Sequence, residues 1–456
     1  MPIGIISRTN RHRRAQPDRA GRALVGMPTG GRWAVISTFP PTACGLATFT
    51  RSLITGLSAN GAGVDVVRVV ETASPAAAEP PAGVVHELVT STRDGAATRA
   101  TAALLNSYDV VLVQHEYGIY GGPDGEDLLP LLALLRVPVM TVLHTVPASP
   151  TPGQHRVLQA VVAASDTVVT MTYTARDRLL AGYEVDAGAV RVIPHGVAES
   201  LASPPRRTGF LPGDHRRHHH AAGLPPTAHG RPIILTWGLL GQGKGIEWGI
   251  EAMAALTDLV PRPMYVVAGQ THPRVVEHEG ERYRDMLTAH ARSLGVADDV
   301  LLDGRYLADT RLHRLIRTAD VVLLPYDSRE QVTSGVLVEA VSAGRAVVST
   351  RFPHAVELLG DGTGVLVEQS DPTAIATALR TVLTGPRLAG QMRARARRVA
   401  PSLTWRTVAG SYVTAARGHA DRELIDLTAP AAHAVTAPAL TMPDPDDYAR
   451  TLAVTS

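Results

Sequence analysis

Two loops in the second half of the chain carry residues that could bind a diphosphate. The first, TWGLLGQGKGIEWGIEAM, follows an apolar run and precedes a helical pattern. Gly238 and Gly243 let backbone amides approach an anion at the helix N-terminus, and Lys244 adds a positive charge. Because no Ser or Thr follows the lysine, the spacing disfavours magnesium-dependent NTP hydrolysis. An ordinary glycine-rich turn with an exposed lysine is the alternative interpretation.

The second loop, PYDSREQVTSGVLVEAVSAG, places a carboxylate inside a segment that is otherwise apolar. The pattern predicts a strand end, a turn and a helix whose first amides, near Ser334 and Gly335, face the same cleft. Glu339 then lies about one and a half turns into the helix, where its carboxylate would reach past bound phosphates to a ribose diol. Since an unpaired buried carboxylate is costly, a salt bridge or an exposed helix face is the alternative.

Further polar residues follow apolar runs in the first half of the chain. His144 ends the run VPVMTVLH, where its imidazole could hydrogen-bond a sugar hydroxyl, although a structural role is the alternative. The stretch HEYGIYGG supplies His115, Glu116 and Tyr117 as candidates for acceptor recognition. Cys44, in TACGLATF, has no evident base beside it and is interpreted as a packing residue.

Two successive sets of strands and helices must position these residues. Near-continuous apolar runs without strict alternation indicate parallel strands that are buried on both faces. Two such sets of similar size predict an α/β fold with two doubly wound Rossmann-like domains that face each other across a cleft. The runs lie at 32–38, 64–70, 109–115, 137–144, 166–172 and 190–196, and then at 232–238, 263–269, 300–306, 320–326, 346–351 and 364–369.

Composition shifts divide the chain into six segments. We expect a disordered basic tail at 1–31, with translation starting at Met1 or Met27, and an N-terminal domain at 32–197 on the acceptor side. A linker or long loop rich in Pro, His and Arg follows at 198–231, and its histidine run at 218–220 lacks the accompanying ligands of a metal site. A nucleotide-sugar domain at 232–400, a helix at 401–417 that packs back on the body, and a disordered tail at 418–456 complete the prediction.

The bulk composition excludes several classes of protein. The 456 residues suit two domains, and an aromatic content of 4% disfavours a nucleic-acid binder that stacks bases. A single cysteine excludes an internal disulfide framework and suits a reducing cytoplasm. No apolar window is long enough for a membrane-spanning helix. The arginines of the first 25 residues and of 392–398 leave peripheral contact with the inner face of a membrane open.

The order of these motifs resembles that of the retaining glycosyltransferases of family four, which have the GT-B fold. The motifs are the glycine-rich TACGLATF, the histidine of TVLHTV, IPHGV, GLLGQGKG and the strand–turn–helix that ends in a glutamate. The resemblance covers roughly residues 32–417 and is more specific in the C-terminal half. The family has two glutamates spaced eight residues apart. The second falls on Glu339, whereas the first position is Gln331 here.

The resemblance implies a role for each matching residue. Glu339 would bind the ribose hydroxyls of the donor and Gln331 would contact the transferred sugar. The remaining donor contacts would come from Thr333, Ser334, Gly335, Gly238 and Gly243, with Gly45 allowing close approach of the phosphates, and His144 would lie near the transferred sugar.

Lys244 matches the lysine that steadies the diphosphate in the family. The family usually pairs this lysine with an arginine at the position of Leu239, and that arginine is absent here. The substitution removes one charge from the phosphate clamp. Arg305 or Arg351, which end other strands, could compensate for it.

The implied reaction moves a hexosyl group from a donor of the GDP-mannose or UDP-glucose type to a hydroxyl of a glycan, a lipid-linked or a small-molecule acceptor, with retention. Lys244, His144 and Gln331 would be the catalytic residues, the leaving diphosphate would accept the proton, and no metal or further cofactor would be required. A GT-B sugar-nucleotide epimerase and a sugar phosphorylase are alternatives. Leu239 and Gln331, at positions that are usually charged, also leave an inactive nucleotide- or glycan-binding protein open.

Overall fold

The computed structural model of the protein describes residues 30–42, 44–74, 81–92, 94–202 and 219–418. The tails that we expect at 1–31 and 418–456 lie almost wholly outside these residues, and so do residues 203–218 of the expected linker.

The first half of the chain forms a seven-stranded sheet in the order β3-β2-β1-β4-β5-β6-β7, and every pairing is parallel. The strand order reverses between β1 and β4, so the crevice for a ligand opens there, at the carboxyl ends of the strands. The strands are β1 (Arg32–Ser37), β2 (Gly63–Val70), β3 (Val84–Val89), β4 (Val110–His115), β5 (Val139–Leu143), β6 (Thr167–Thr170) and β7 (Val190–Val192). The helices are α1 (Gly45–Ala59), α2 (Gly95–Leu105), α3 (Leu129–Leu134), α4 (Pro152–Ala163), α5 (Tyr173–Gly182) and α6 (Glu199–Ala202).

The second half forms a six-stranded parallel sheet in the order β10-β9-β8-β11-β12-β13, which reverses between β8 and β11. Its strands are β8 (Ile233–Trp237), β9 (Met264–Ala268), β10 (Val300–Asp303), β11 (Val321–Leu324), β12 (Ala346–Thr350) and β13 (Val365–Val367). Its helices are α7 (Ile246–Ala254), α8 (Pro273–Glu279), α9 (Arg282–Ser293), α10 (Asp309–Thr318), α11 (Gly335–Ser342), α12 (Pro353–Leu359), α13 (Pro372–Thr384) and α14 (Pro386–Val399). The prediction of two doubly wound α/β domains is confirmed.

The apolar runs become strands because both faces of each sheet are covered by helices. Every residue of β4, β5, β8 and β12 is buried, which matches the near-continuous apolar character of those runs. One strand of the first sheet, β3, was not predicted. It is the edge strand, it is only partly buried, and His86 and Glu87 interrupt its apolar residues, so the sequence has no continuous run there.

Cys44 is more than a packing residue. Its Sγ accepts a hydrogen bond from the amide of Ala47 at 3.3 Å and therefore caps the N-terminus of α1. The Thr38 hydroxyl lies 3.3 Å from the same sulfur, which fixes the loop between β1 and α1. This loop leads to Gly45, so the cap sets the position of a predicted donor-binding residue.

The last helix, α15 (Trp405–Ala416), packs against α1 of the first domain. Its Val408, Ala409 and Tyr412 join the core formed by Leu53 and Leu57. The chain therefore crosses from the first domain to the second and returns, so the two domains are connected twice.

The described flanks of the expected linker are packed rather than exposed. Leu201, in α6, is 2% exposed. On the other side of the undescribed stretch, Ala222, Leu224 and Ala228 join the core of the second domain. Although its composition is typical of an exposed linker, this segment therefore contains short apolar stretches that pack into the core. Within the described ranges, no helix is both long enough and apolar enough to cross a bilayer.

Candidate active site

The glycine-rich loop between β8 and α7 is held tightly against its neighbours. Gly245, the N-cap of α7, has a left-handed backbone with φ of 60°, and a Cβ there would lie 1.9 Å from the Pro325 carbonyl oxygen. Gly238 and Gly243 also have positive φ, at 115° and 81°. Only glycine suits this path, which brings the loop beside the end of β11, at the point where the strand order of the second sheet reverses.

Lys244 is the one lysine among the 44 lysine and arginine residues of the sequence. Its ammonium lies 4.4 Å from the ring centroid of Tyr326, a residue that is 1% exposed. Burial lowers the pKa of Lys244, and none of the residues that the structure describes forms an ion pair with it. A partly desolvated ammonium that lacks a protein counter-ion is suited to an anionic ligand.

The carboxylate of Glu339 is held by an indole. Trp237, which is 4% exposed, donates its Nε1 proton to Glu339 Oε2 at 2.8 Å. Burial raises the pKa of Glu339 to about 7, the Trp237 hydrogen bond opposes this shift, and the charge of Asp309 adds to it. No described cation pairs with the carboxylate, so the salt bridge that we considered as the alternative is not formed. Oε1 has no hydrogen-bond partner in the described part of the chain and is available to a ligand hydroxyl.

The N-terminus of α11 follows β11, whose neighbour in the sheet, β8, leads into the loop of Lys244, and Glu339 lies within α11 itself. The Ser334 hydroxyl caps the helix by accepting from the Leu337 amide at 3.3 Å, while the Ser334 amide donates to His354 Nδ1 at 2.8 Å. Burial lowers the pKa of His354 to about 3, which keeps this acceptor neutral. The Gln331 side chain donates to the Thr333 carbonyl at 3.1 Å, and the buried Thr333 hydroxyl has no partner among the described residues.

His144 lies at the carboxyl end of β5 with a defined tautomer. Its Nε2 donates to Gln114 Oε1 at 2.6 Å, so Nδ1 carries the lone pair. Its ring packs edge-on against Phe49 with centroids 4.8 Å apart. Burial lowers the pKa of His144 to about 3, with smaller contributions from His195 and His115. His144 is therefore neutral at physiological pH and acts as a hydrogen-bonding group rather than an acid.

His195 brings the first domain onto the N-terminus of α11, and we did not predict it as a site residue. Its ring packs against Phe49 and Trp405 at centroid distances of 5.0 and 5.4 Å. A Cβ at Gly335 would lie 2.9 Å from His195 Nε2, so the imidazole occupies the space that the glycine leaves. The motif IPHGV could have pointed to this histidine. Its contacts were not predictable, because Phe49, Gly335 and Trp405 are all far from His195 in sequence.

The three acceptor candidates share the end of β4 next to His144, whose amide donates to the His115 carbonyl at 3.1 Å. His115 is 1% exposed and neither ring nitrogen has a partner among the described residues. Glu116 accepts from the Thr145 hydroxyl at 2.5 Å and the Tyr117 amide at 3.0 Å, and burial raises its pKa. Only Glu116 and Tyr117 are partly exposed, so His115 is more enclosed than we expected.

Gly45 is the first residue of α1, and a Cβ there would meet nothing within 4 Å. The packing of the protein therefore does not require glycine, whereas a ligand that approaches the helix N-terminus closely would.

The two arginines that we considered as substitutes for an arginine at Leu239 are already paired. Arg305 forms two hydrogen bonds of 2.7 Å with Asp303, and Arg351 lies 3.5 Å from Glu368. Each would have to leave its carboxylate to reach a phosphate.

A groove of about 540 Å³ opens at the boundary of the two domains. Thr174 lines it from the first domain, and Arg329, Arg351 and Glu357 line it from the second. Across the described ranges, no group of three His, Cys, Asp or Glu residues is arranged to hold a metal ion.

Two family models match the chain, one in each domain. The model described as Glycosyltransferase Family 4 matches residues 43–201, and the model described as Glycosyl transferases group 1 matches residues 225–399. A D-inositol 3-phosphate glycosyltransferase of Acidothermus cellulolyticus is 31% identical over 241 residues, which are 51% of this chain and 49% of that protein. The chain thus spans about half the length of this curated relative.

Solved structures share the fold at low sequence identity. A glycosyltransferase from Rickettsia africae has a TM-score of 0.66 at 15% identity and covers 85% of this chain and 98% of its own. The Anabaena protein HepE, solved in complex with UDP and glucose, has a TM-score of 0.65 at 16% identity and covers 84% and 98%. These likenesses confirm the predicted GT-B fold.

Proposed function

The chain belongs to glycosyltransferase family 4, and from that premise we propose that it transfers a hexosyl group from a nucleotide-diphosphate sugar to an acceptor hydroxyl with retention of configuration. One arrangement carries the proposal. Where the strand order of the second sheet reverses, the unpaired ammonium of Lys244, the amides at the start of α11 and the carboxylate of Glu339 come from adjacent strand ends. These groups match the diphosphate and the ribose diol of one donor.

The leaving diphosphate would be stabilised by Lys244 and by the first amides of α11, from Gly335 onward, because these interactions strengthen as negative charge develops on the leaving oxygen. Gln331 stands at the family's first glutamate position, and an amide cannot serve as a carboxylate nucleophile. We therefore propose displacement on one face of the sugar, with the leaving phosphate oxygen accepting the proton of the acceptor hydroxyl. The reaction as proposed needs no metal.

His144 would orient the transferred sugar. Its neutral imidazole has Nε2 donating to Gln114, so Nδ1 can accept a hydrogen bond from a sugar hydroxyl. Gly45 would let the donor phosphates approach α1. Glu116 and Tyr117, at the end of the neighbouring strand, would contact the acceptor.

The donor is proposed to be of the GDP-mannose or UDP-glucose type, and the UDP and glucose bound by HepE favour the second. The name of the Acidothermus relative favours a small phosphorylated polyol over a glycan or a lipid-linked acceptor. The single cysteine and the nucleotide-sugar donor favour the cytoplasm as the place of reaction.

The uniqueness of Lys244 provides a direct test of the donor site. An amine-acylating reagent can modify only this side chain and the N-terminal amine, and peptide mass spectrometry separates the two. We expect UDP or GDP to protect Lys244 while the N-terminal amine reacts unchanged, and to raise Tm by mass action. Glu339→Ala should lose both effects, whereas Glu251→Ala, whose carboxylate pairs with His290 of α9, should keep them. If no nucleoside diphosphate or nucleotide sugar protects Lys244, the proposal is wrong.

A second candidate is a nucleotide-binding protein without transfer activity. Leu239 and Gln331, which stand where the family usually has charged residues, favour it. Protection of Lys244 by a nucleotide sugar, combined with no release of nucleoside diphosphate from any donor in the presence of inositol phosphate or hexose acceptors, would select this candidate. The anomeric configuration of a product, read by NMR, would decide on retention.

A further inference from the structure

The segment 330–334, here called the donor loop, is attached to the first domain although it belongs to the second. Glu330 Oε2 accepts hydrogen bonds from the Ala148 amide at 2.9 Å and from Arg178 Nη1 at 3.0 Å. The same Nη1 donates to the carbonyls of Glu330 and Val146, each at 3.2 Å. Both the side chain and the backbone of Glu330 are therefore held by residues after β5 and in α5.

Two positions further along, the donor loop has an apolar anchor in the first domain. Val332 is 3% exposed, and it packs with Leu143, Leu179 and Tyr183 of the first domain. This side chain is buried only while the two domains are together. Gln331 and Thr333, the proposed sugar contacts, flank Val332 and take their positions from it.

The far end of the donor loop is held through α12. His354 of this helix accepts the Ser334 amide. One turn later, Glu357 accepts hydrogen bonds from the amides of Tyr173 and Thr174, at 2.9 and 3.1 Å, and from the Thr174 hydroxyl at 3.2 Å. A carboxylate of the second domain thus caps the N-terminus of α5 in the first, where the helix dipole favours negative charge.

These contacts form a closed circuit. Helix α5 is bonded to the donor loop by Arg178 and to α12 by its first amides, and α12 is bonded to the donor loop by His354. Separation of the domains would break the Glu330 and Glu357 bonds and expose Val332, and the loop would then keep only the His354 bond at its far end.

We propose that Glu330 and Glu357 are positioning residues, which make the sugar-binding conformation of the donor loop depend on closure of the first domain onto the second. The proposal rests on the donor site assigned above. The two parts of the donor should therefore depend differently on domain closure. The sugar is bound well only when the domains are closed. The nucleoside diphosphate, held by Lys244 and Glu339 outside the donor loop, is bound whether the domains are open or closed.

The binding test compares a nucleotide sugar with its nucleoside diphosphate by calorimetry. Glu330→Ala removes two charge-assisted hydrogen bonds, so we expect affinity for the nucleotide sugar to fall roughly tenfold. The affinity for the nucleoside diphosphate should change by less than about twofold. Glu330→Gln, which keeps a side-chain oxygen for the Ala148 amide and Arg178 but not the negative charge, should lose less affinity than Glu330→Ala. Asp258→Ala, which removes an exposed carboxylate–arginine pair with Arg380 inside the second domain, is the matched control and should change neither affinity.

A second measurement does not need a ligand. We expect hydrogen exchange to quicken at 330–334 in Glu330→Ala and at the first turn of α5 in Glu357→Gln, with exchange in the sheets unchanged. Arg178→Lys provides a milder variant if either substitution lowers Tm strongly. Equal losses for sugar nucleotide and nucleotide, a loss in Glu330→Gln as large as in Glu330→Ala, or unchanged hydrogen exchange in the donor loop of Glu330→Ala would each overturn the proposal. A wild-type protein that binds no nucleotide would refute the proposed function, and the exchange data would still decide whether the first domain holds this loop.

Discussion

The affinity for a nucleotide sugar should depend on pH through Glu339. Burial of this carboxyl raises its pKa to about 7, and the ribose hydroxyls of the proposed donor need the deprotonated carboxylate as acceptor. If only the deprotonated form of Glu339 binds the ribose, the affinity for the donor is close to its maximum at pH 8 and falls as pH drops through 7. The apparent Kd should therefore be about tenfold higher at pH 6 than at pH 8.

No nearby histidine can produce the same profile. Burial lowers the pKa values of His144 and His354 to about 3 and that of His195 to about 4, so all three stay neutral across this range. A nucleotide sugar is the correct probe, because the terminal phosphate of a free nucleoside diphosphate itself titrates near neutral pH. Calorimetry in buffers of different ionisation heats would also report about one proton released on binding near pH 6.

The variant Glu339→Gln supplies the control. It keeps an oxygen for the Trp237 indole but does not titrate, so its weaker binding of the nucleotide sugar should be independent of pH.

The stability of the folded protein should depend on the protonation of Glu339 in the opposite direction to the affinity for the donor. A carboxyl whose pKa is raised in the folded state stabilises the protein below its unfolded pKa and loses this contribution as pH rises through 7. The variant should therefore have the higher Tm at pH 8. A pH-independent Kd in the wild type, or a sloping profile in the variant, would refute the reasoning.

Three further predictions concern the phosphate end of the site. Lys244→Ala should weaken nucleoside diphosphate binding by roughly ten- to a hundredfold in calorimetry, because it removes a charged partner that no described cation replaces. Gly335→Ala should lower Tm and abolish donor binding, since its Cβ would lie 2.9 Å from His195 Nε2. Gly45→Ala should keep the wild-type Tm but weaken donor binding and turnover, and a variant with both unchanged would remove Gly45 from the site. Leu239→Arg should strengthen nucleoside diphosphate binding and make it more sensitive to salt, and an unchanged Kd at low ionic strength would show that this position does not face the phosphates.

The fold was predictable because strands that are buried on both faces of a sheet have nearly continuous apolar sequences. Twelve of the thirteen strands follow the apolar runs, and β3 was missed because an edge strand with His86 and Glu87 has no such run. The site was predictable where a residue type had an unusual setting, as with Glu339 in an apolar segment. Its indole partner Trp237 was not, because a contact between β8 and α11 has no signature in sequence spacing.

Contacts between the domains were the least predictable part. His195 against Gly335, Glu357 at the start of α5 and Val332 among first-domain residues all join segments that are more than a hundred residues apart. Each looks ordinary in its own segment, as a histidine in a loop, a glutamate on a helix and a valine in a turn. Their roles appear only where the two domains pack against each other.

The charges of the site favour a donor that is bound by few strong contacts. The ammonium of Lys244 has no carboxylate partner among the described residues, the three histidines are neutral, and burial raises the pKa of Glu339 to about 7, which lowers its negative charge near neutral pH. A diphosphate would therefore meet one ammonium and the dipoles of α7 and α11, with Leu239 supplying no charge. Under those conditions the sugar contacts of the donor loop contribute a larger share of the affinity than in a site with a second cation. Closure of the first domain, which holds that loop through Glu330, then has more influence on whether the donor stays bound.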